Sequence, residues 1–279
     1  MKMICSQEQH IINLRLQELE HALNRFEDIV AAESNKYHVA NDYPNILIKL
    51  AGKTIWTFRE ILCLCSSGFP EGALSLARNL YEQSITLAFF NKVRRNADFQ
   101  DYVDDYYIDA EMQRTRVLKW EAKYSNNDAQ QAQRYENELQ RIKSSAHRKG
   151  KGDYWWTGHN SFSGVVEYLI STESDVQFSR MMARVHIVYK RACASLHAGS
   201  LGNNIRLGVE PSFAGVDNTA KAQGHELPLC FSTYSFILIV GVICHELKLD
   251  GADLLKEFNN LAVFYMDKWH NDLGKGETI

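Results

Sequence analysis

Three groups of residues in this chain combine types and spacings that could do chemistry. The first is Arg191, Ser195 and His197, which close a helical pattern just before Gly199. A histidine beside a glycine-rich segment can move a proton near neutral pH, and a nearby arginine can stabilise phosphate charge. A more ordinary reading competes with it, because a helix dipole favours the charged form of a histidine at a helix C-terminus. The second group is Arg78 and Glu82, four residues apart and therefore on one helix face. Either they form a partly exposed ion pair worth about 0.5 kcal/mol, or Glu82 orients Arg78 toward an anion. The third is Lys143, His147, Arg148, Lys149 and Lys151, followed by Trp155 and Trp156. Cations mixed with aromatics suit single-stranded nucleic acid, which needs charge for its backbone and flat rings for its bases. The same mixture also arises where a solvated helix end runs into aromatics that anchor a loop.

Other chemistries lack their sequence marks. There is no phosphate-binding glycine loop, no HExxH pair and no nucleophile elbow. His245–Glu246 lacks the second histidine of a zinc helix, and the six cysteines (Cys5, Cys63, Cys65, Cys193, Cys230, Cys244) show no CxxC spacing. The expectation is no metal and no cofactor, with reduced, buried thiols in a cytoplasm.

The elements that must position these residues read as helices throughout. Only 4 prolines and 16 glycines punctuate 279 residues, which favours long helices over many strands and turns. Apolar spacing predicts helices over 6–33, from Pro44 to about Ser67, and from Glu71 to about Val93, with Gly68–Phe69–Pro70 as the break. Residues 97–150 are the most polar part and read as two helices joined near Ser125–Asp128, a hairpin projecting from the core. Further helices are predicted over about 161–171, 175–198, 227–248 and 251–270, with an irregular glycine-rich stretch at 199–226. On the helix over 175–198, Phe178, Met181, Met182, Val185, Val188, Tyr189, Ala192, Cys193 and Leu196 share the core arc at 100° per residue. His186, Lys190 and His197 border that arc; Arg180, Arg184 and Arg191 lie on the far side.

Bulk properties narrow the function less. A hydrophobic share of 45% and a charged share of 23% are ordinary for a globular chain. A net charge of -3 gives no global attraction to nucleic acid or to an anionic membrane. The longest apolar run, 229–244, carries Ser232, Thr233, Tyr234 and Ser235 and reads as a core helix rather than a membrane span. The first thirty residues are charged throughout and show no secretory signal.

Three segments carry a resemblance. Ala77–Arg78–Asn79–Leu80–Tyr81–Glu82, Trp156–Thr157–Gly158, and Tyr189 through Ser195–Leu196–His197–Ala198–Gly199 are similar in order and spacing to the bacterial helical proteins of domain-of-unknown-function family 5677. The resemblance covers roughly residues 50 to 205 and places the family pattern on Arg78, Glu82, Trp156, Ser195 and His197. A wider resemblance is to the HEPN group of helical bundles, many of them ribonucleases of bacterial defence and toxin systems. Their arginine-to-histidine mark would fall on Arg191 and His197 here. Six residues of regular helix set those side chains about 120° apart, and Ala192 stands where that group usually carries a polar residue. That resemblance implies dimers in which two motifs meet.

The reading that follows is a single all-α domain over residues 1–279, a multi-helix bundle with an N-terminal helical segment over 1–40. The expected function is HEPN-like RNA binding or metal-independent RNA cleavage. His197, Arg191, Arg78 and Glu82 would be catalytic, and Ser195, Tyr81, Trp156, Lys149 and Lys151 would bind. Its rival is a non-catalytic module whose hairpin binds a partner protein. Partners would then be RNA or a protein, with a homodimer as the assembly and no membrane involved.

Overall fold

The computed structural model describes residues 6–34, 36, 42–196 and 224–273. Among these residues it contains nine α-helices, a single 3₁₀ turn and no strand, an all-α multi-helix fold. The helices are α1 (Ser6–Ser34), α2 (Tyr43–Ser66), α3 (Pro70–Val93), α4 (Phe99–Tyr124), α5 (Ala129–Ser144), α6 (Phe162–Thr172), α7 (Val176–Leu196), α8 (Glu226–Leu247) and α9 (Ala252–Leu273). The 3₁₀ turn is Trp155–Thr157. His197 and most of the 199–226 stretch lie outside the described residues.

The boundaries follow the local chemistry. Asp42 caps α2 by accepting from Asn45 N at 2.9 Å, and Pro44 occupies the first turn, where its missing N–H costs nothing. Gly68, at φ 77°, stops α2, and Pro70 starts α3. Asp128 caps α5 (2.8 Å to Gln131 N) and Ser161 caps α6 (3.1 Å to Gly164 N).

Helices α3 and α8 form the centre. α3 packs against α2, α6, α7 and α8, while α8 also touches α2, α7 and α9. α8 is long and apolar enough to cross a membrane by length and composition, yet most of it is buried inside this fold. Its serines and threonines satisfy themselves within the helix: Ser232, Thr233 and Ser235 hydroxyls donate to carbonyls one turn back. Phe236 on α8 meets Phe26 of α1 at 5.5 Å, Phe58 of α2 at 4.8 Å and Phe258 of α9 at 5.1 Å. Such ring contacts tie four helices together.

The α4–α5 hairpin is rooted by aromatics. Phe99 and Tyr106 of α4 pack edge-on against Phe90 of α3. α5 lies along α4, and the Lys119–Glu136 ion pair links the two. Towards the distal end of α4, Val117 (65% exposed), Trp120 (63%) and Tyr124 (60%) stand in solvent.

Candidate functional site

The junction of α3 and α7 holds a polar cluster inside an aromatic shell. Arg78 and Glu82 sit one turn apart on α3, and Arg78 Nε donates to Glu82 Oε1 at 3.3 Å. From α7, the Tyr189 hydroxyl donates to the same oxygen at 2.7 Å. The Arg78 guanidinium also lies 5.8 Å from the Tyr189 ring centroid, a cation–π contact. Arg78 and Glu82 are both half-buried, with side chains 32% and 29% exposed.

This arrangement follows from two helical registers. Leu74, Ala77, Tyr81 and Ile85 bury one stripe of α3, which leaves Arg78 and Glu82 at its border. Met182, Val185, Tyr189 and Ala192 bury the matching stripe of α7. Where the borders meet, the Tyr189 hydroxyl reaches Glu82. Burial, together with the Glu82 carboxylate, pushes the Tyr189 phenol well above its usual range, so it stays a donor.

Two neighbours complete the cluster. Tyr81 is fully buried and touches the rings of Phe162, His186, Tyr189 and Phe231. Tyr154 packs on Phe162 at 5.4 Å, and burial with the nearby Glu82 charge raises its phenol. Two buried polar atoms here, Tyr81 Oη and His186 Nδ1, have no hydrogen-bond partner among the described residues.

His186 was not singled out by its spacing, which puts it at the edge of the core arc. The fold buries it to 7% exposure, stacks it on Tyr189 at 5.5 Å and sets its Nε2 3.3 Å from the Ser163 hydroxyl. Burial, then the charge of Lys190, holds its imidazole below the usual value, with Glu167 opposing. The available signal was Ser163 and Glu167 on a short helix preceding α7, which is weak without the packing.

The other sequence candidates fall elsewhere. Arg191 is exposed on the outer face of α7, about 200° around the helix from Tyr189. It is not brought to the Arg78 cluster. Ser195 belongs to the last turn of α7 but its side chain is not among those described, and His197 lies outside the described residues. α7 remains helical through Leu196.

The basic and aromatic stretch at 143–156 divides into two parts. Trp156 is buried and stacks on Phe90 at 5.3 Å, with Tyr106 and Phe89 edge-on. Trp155 is also buried, and its indole N–H donates to Asp109 at 2.6 Å. Arg148 lies over Tyr102 at 3.4 Å and pairs with Asp98 and the fully buried Asp105. Asp105 also accepts from the backbone N–H groups of His147 and Arg148. These aromatics and Arg148 therefore anchor a loop. Gly152 is required in it: at φ 88°, an added Cβ would sit 2.1 Å from the Asn160 carbonyl oxygen. Lys149 and Lys151 stay exposed and make no ion pair among the described residues.

The described residues contain no group of His, Cys, Asp or Glu side chains that could hold a metal ion. Chemically, the α3–α7 cluster is an arginine oriented through its Nε by Glu82 at a half-open border. It is suited to gripping an oxyanion such as a phosphate.

Comparison with known proteins adds a family without an activity. Residues 45–212 match the model of a family described only as a family of unknown function. No curated protein and no solved structure matches the chain.

Proposed function

We propose, for a chain that belongs to the DUF5677 family, that the protein binds RNA and cleaves it in the manner of HEPN-like ribonucleases of bacterial defence or toxin systems, in the cytoplasm. The observation that carries this reading is the Arg78 clamp: Glu82 accepts from Arg78 Nε, and the Tyr189 hydroxyl donates to Glu82. A bidentate guanidinium in a half-buried setting binds phosphate far better than a mobile surface arginine.

In the cleavage step, His197 takes the proton of a ribose 2′-hydroxyl. The 2′ oxygen attacks the adjacent phosphorus, the bond to the 5′ oxygen breaks, and that oxygen takes a proton from solvent water as it leaves, giving a 2′,3′-cyclic phosphate and a 5′-hydroxyl. Arg78 stabilises the charge gathering on the phosphate oxygens, while Glu82 and Tyr189 position Arg78. Nothing in this step calls on a metal ion. The test is to incubate wild type and His197→Ala with total bacterial RNA in EDTA. Cleavage by wild type that disappears in the variant supports the assignment; cleavage that persists unchanged rejects His197 as the proton-transfer group.

A second reading rests on Val117, Trp120 and Tyr124. Monomer surfaces seldom leave a Trp–Tyr pair (rings 5.0 Å apart) and a valine together in solvent. That stripe favours a helical interaction module whose hairpin docks on a partner protein. Pull-down from the native host with wild type and Trp120→Ala separates the two: a partner lost in the variant, with no RNA cleavage by wild type, selects the module.

A further inference from the structure

Helix α7 contains no aspartate or glutamate in its 21 residues. It carries Arg180, Arg184, Lys190 and Arg191, all exposed, on a chain whose net charge is -3. None of the four makes an ion pair or a side-chain hydrogen bond among the described residues. Elsewhere in the molecule Arg25, Arg59, Arg94, Arg141, Arg148 and Lys119 have carboxylate partners.

The geometry makes these cations a line. At 100° per residue, Arg180, Arg184 and Arg191 fall within about 40° of one another, on the side of α7 opposite Tyr189. Their Cα atoms are spaced about 6 and 10 Å along the axis, a span of roughly 16 Å. Lys190 flanks the line beside His186, on the border that packs against α6. Ile187, 52% exposed, is the apolar residue between Arg184 and Arg191.

We propose that the outer face of α7 is a backbone track for single-stranded RNA, with Arg180, Arg184 and Arg191 each taking a phosphate. The inference rests on the RNA reading above and adds to it a second surface on the other side of the same helix. Arginines spaced along a line suit a linear polyanion better than one isolated phosphate, and the guanidinium fork matches phosphate oxygens. A membrane fits this face poorly. Binding in a bilayer interface needs a broad apolar face, and the apolar face of α7 is already buried against α3, α6 and α8. At the helix start, Asp175 spends its carboxylate capping Phe178 N at 3.1 Å, which sets the end of the track before Arg180.

The test uses the full chain, a fluorescein-labelled 20-nucleotide oligouridylate and fluorescence anisotropy over a salt series. The variants are Arg180→Ala/Arg184→Ala, which adds no strain to an exposed helix, and Arg180→Lys/Arg184→Lys, which keeps both charges. Two lost contacts reduce the slope of log affinity against log salt by about 1.4 and weaken binding roughly 20-fold at 0.1 M salt. The lysine pair keeps the slope near the wild-type value. Equal affinity and slope in wild type and the alanine pair overturn the track while leaving the Arg78 reading in place. No binding of the oligonucleotide by wild type overturns the track together with the RNA reading. Binding to phosphatidylserine vesicles that is lost in the alanine pair, without RNA binding, reassigns the face to membranes and also overturns the proposal.

Discussion

The Tyr189 hydroxyl on α7 donates to Glu82 Oε1 on α3 at 2.7 Å, across 107 residues of sequence. That bond fixes the carboxylate that in turn holds Arg78, so the orientation of the guanidinium depends on how two helices dock. Tyr189→Phe keeps the ring and removes the bond. A hydrogen bond to a charged, half-exposed acceptor contributes about 1.5 kcal/mol. The expected outcome in urea denaturation is a loss of that size with unchanged m-value, and a several-fold loss of RNA affinity. Unchanged affinity would separate Tyr189 from Arg78.

Tyr81→Phe behaves in the opposite way. Its hydroxyl is buried and meets no partner among the described residues, so removing it leaves nothing unpaired. Stability is expected to stay level or rise by up to about 1 kcal/mol. A loss above that in thermal denaturation would mean that the hydroxyl is satisfied.

The Asp105 carboxylate holds the loop before Trp155. It is fully buried, receives two backbone N–H groups and pairs with Arg148. Asp105→Ala leaves the two backbone donors without an acceptor and Arg148 with Asp98 alone, which costs about 3 kcal/mol. Chemical denaturation gives the size, and limited proteolysis within 145–154 shows whether the loop has come loose. A loss under about 1 kcal/mol would show that the loop is held by its aromatics alone.

Histidine burial gives stability a definite pH dependence. In the unfolded chain the imidazole titrates near 6.5, and in the fold burial holds both His186 and His159 lower. As pH falls through 6.5 the unfolded chain takes up protons first. The stability present above 6.5 is therefore lost progressively until the folded-state values are passed. Urea midpoints at pH 7.5 and 5.5 show this drop, and His186→Phe makes it smaller. An equal drop in the variant would place its origin elsewhere.

Much of the architecture was legible because helix ends are local chemistry. Asp42, Pro44, Gly68, Pro70 and Asp128 mark boundaries that the fold keeps to within a residue or two. The Arg78–Glu82 pair was legible for the same reason, being one turn apart. Its third member was not, since Tyr189 reads as one of nine core residues until α7 is docked on α3. His186 sat at the border of its helix arc, and a border residue is buried or exposed according to what covers it; here Phe162 and Ser163 of α6 do. Trp155 and Trp156 were misleading in composition. Their company of lysines suggested a nucleic-acid face, but Asp109 and Phe90, 46 and 66 positions away, draw them inward. Exposed aromatics stand elsewhere: Trp56 on α2, Phe69 before α3, and Trp120 and Tyr124 on α4.

The most direct measurement is of the Arg78 guanidinium itself. Side-chain Nε–Hε resonances of ¹⁵N-arginine-labelled protein, with Arg78 assigned by its loss in Arg78→Lys, are followed as a short oligouridylate is added. A saturable shift is expected at Arg78, with the same oligonucleotide binding at least tenfold more weakly to Arg78→Ala. An Arg78 resonance that stays still while the RNA binds elsewhere, or a variant that binds as tightly as wild type, would contradict it.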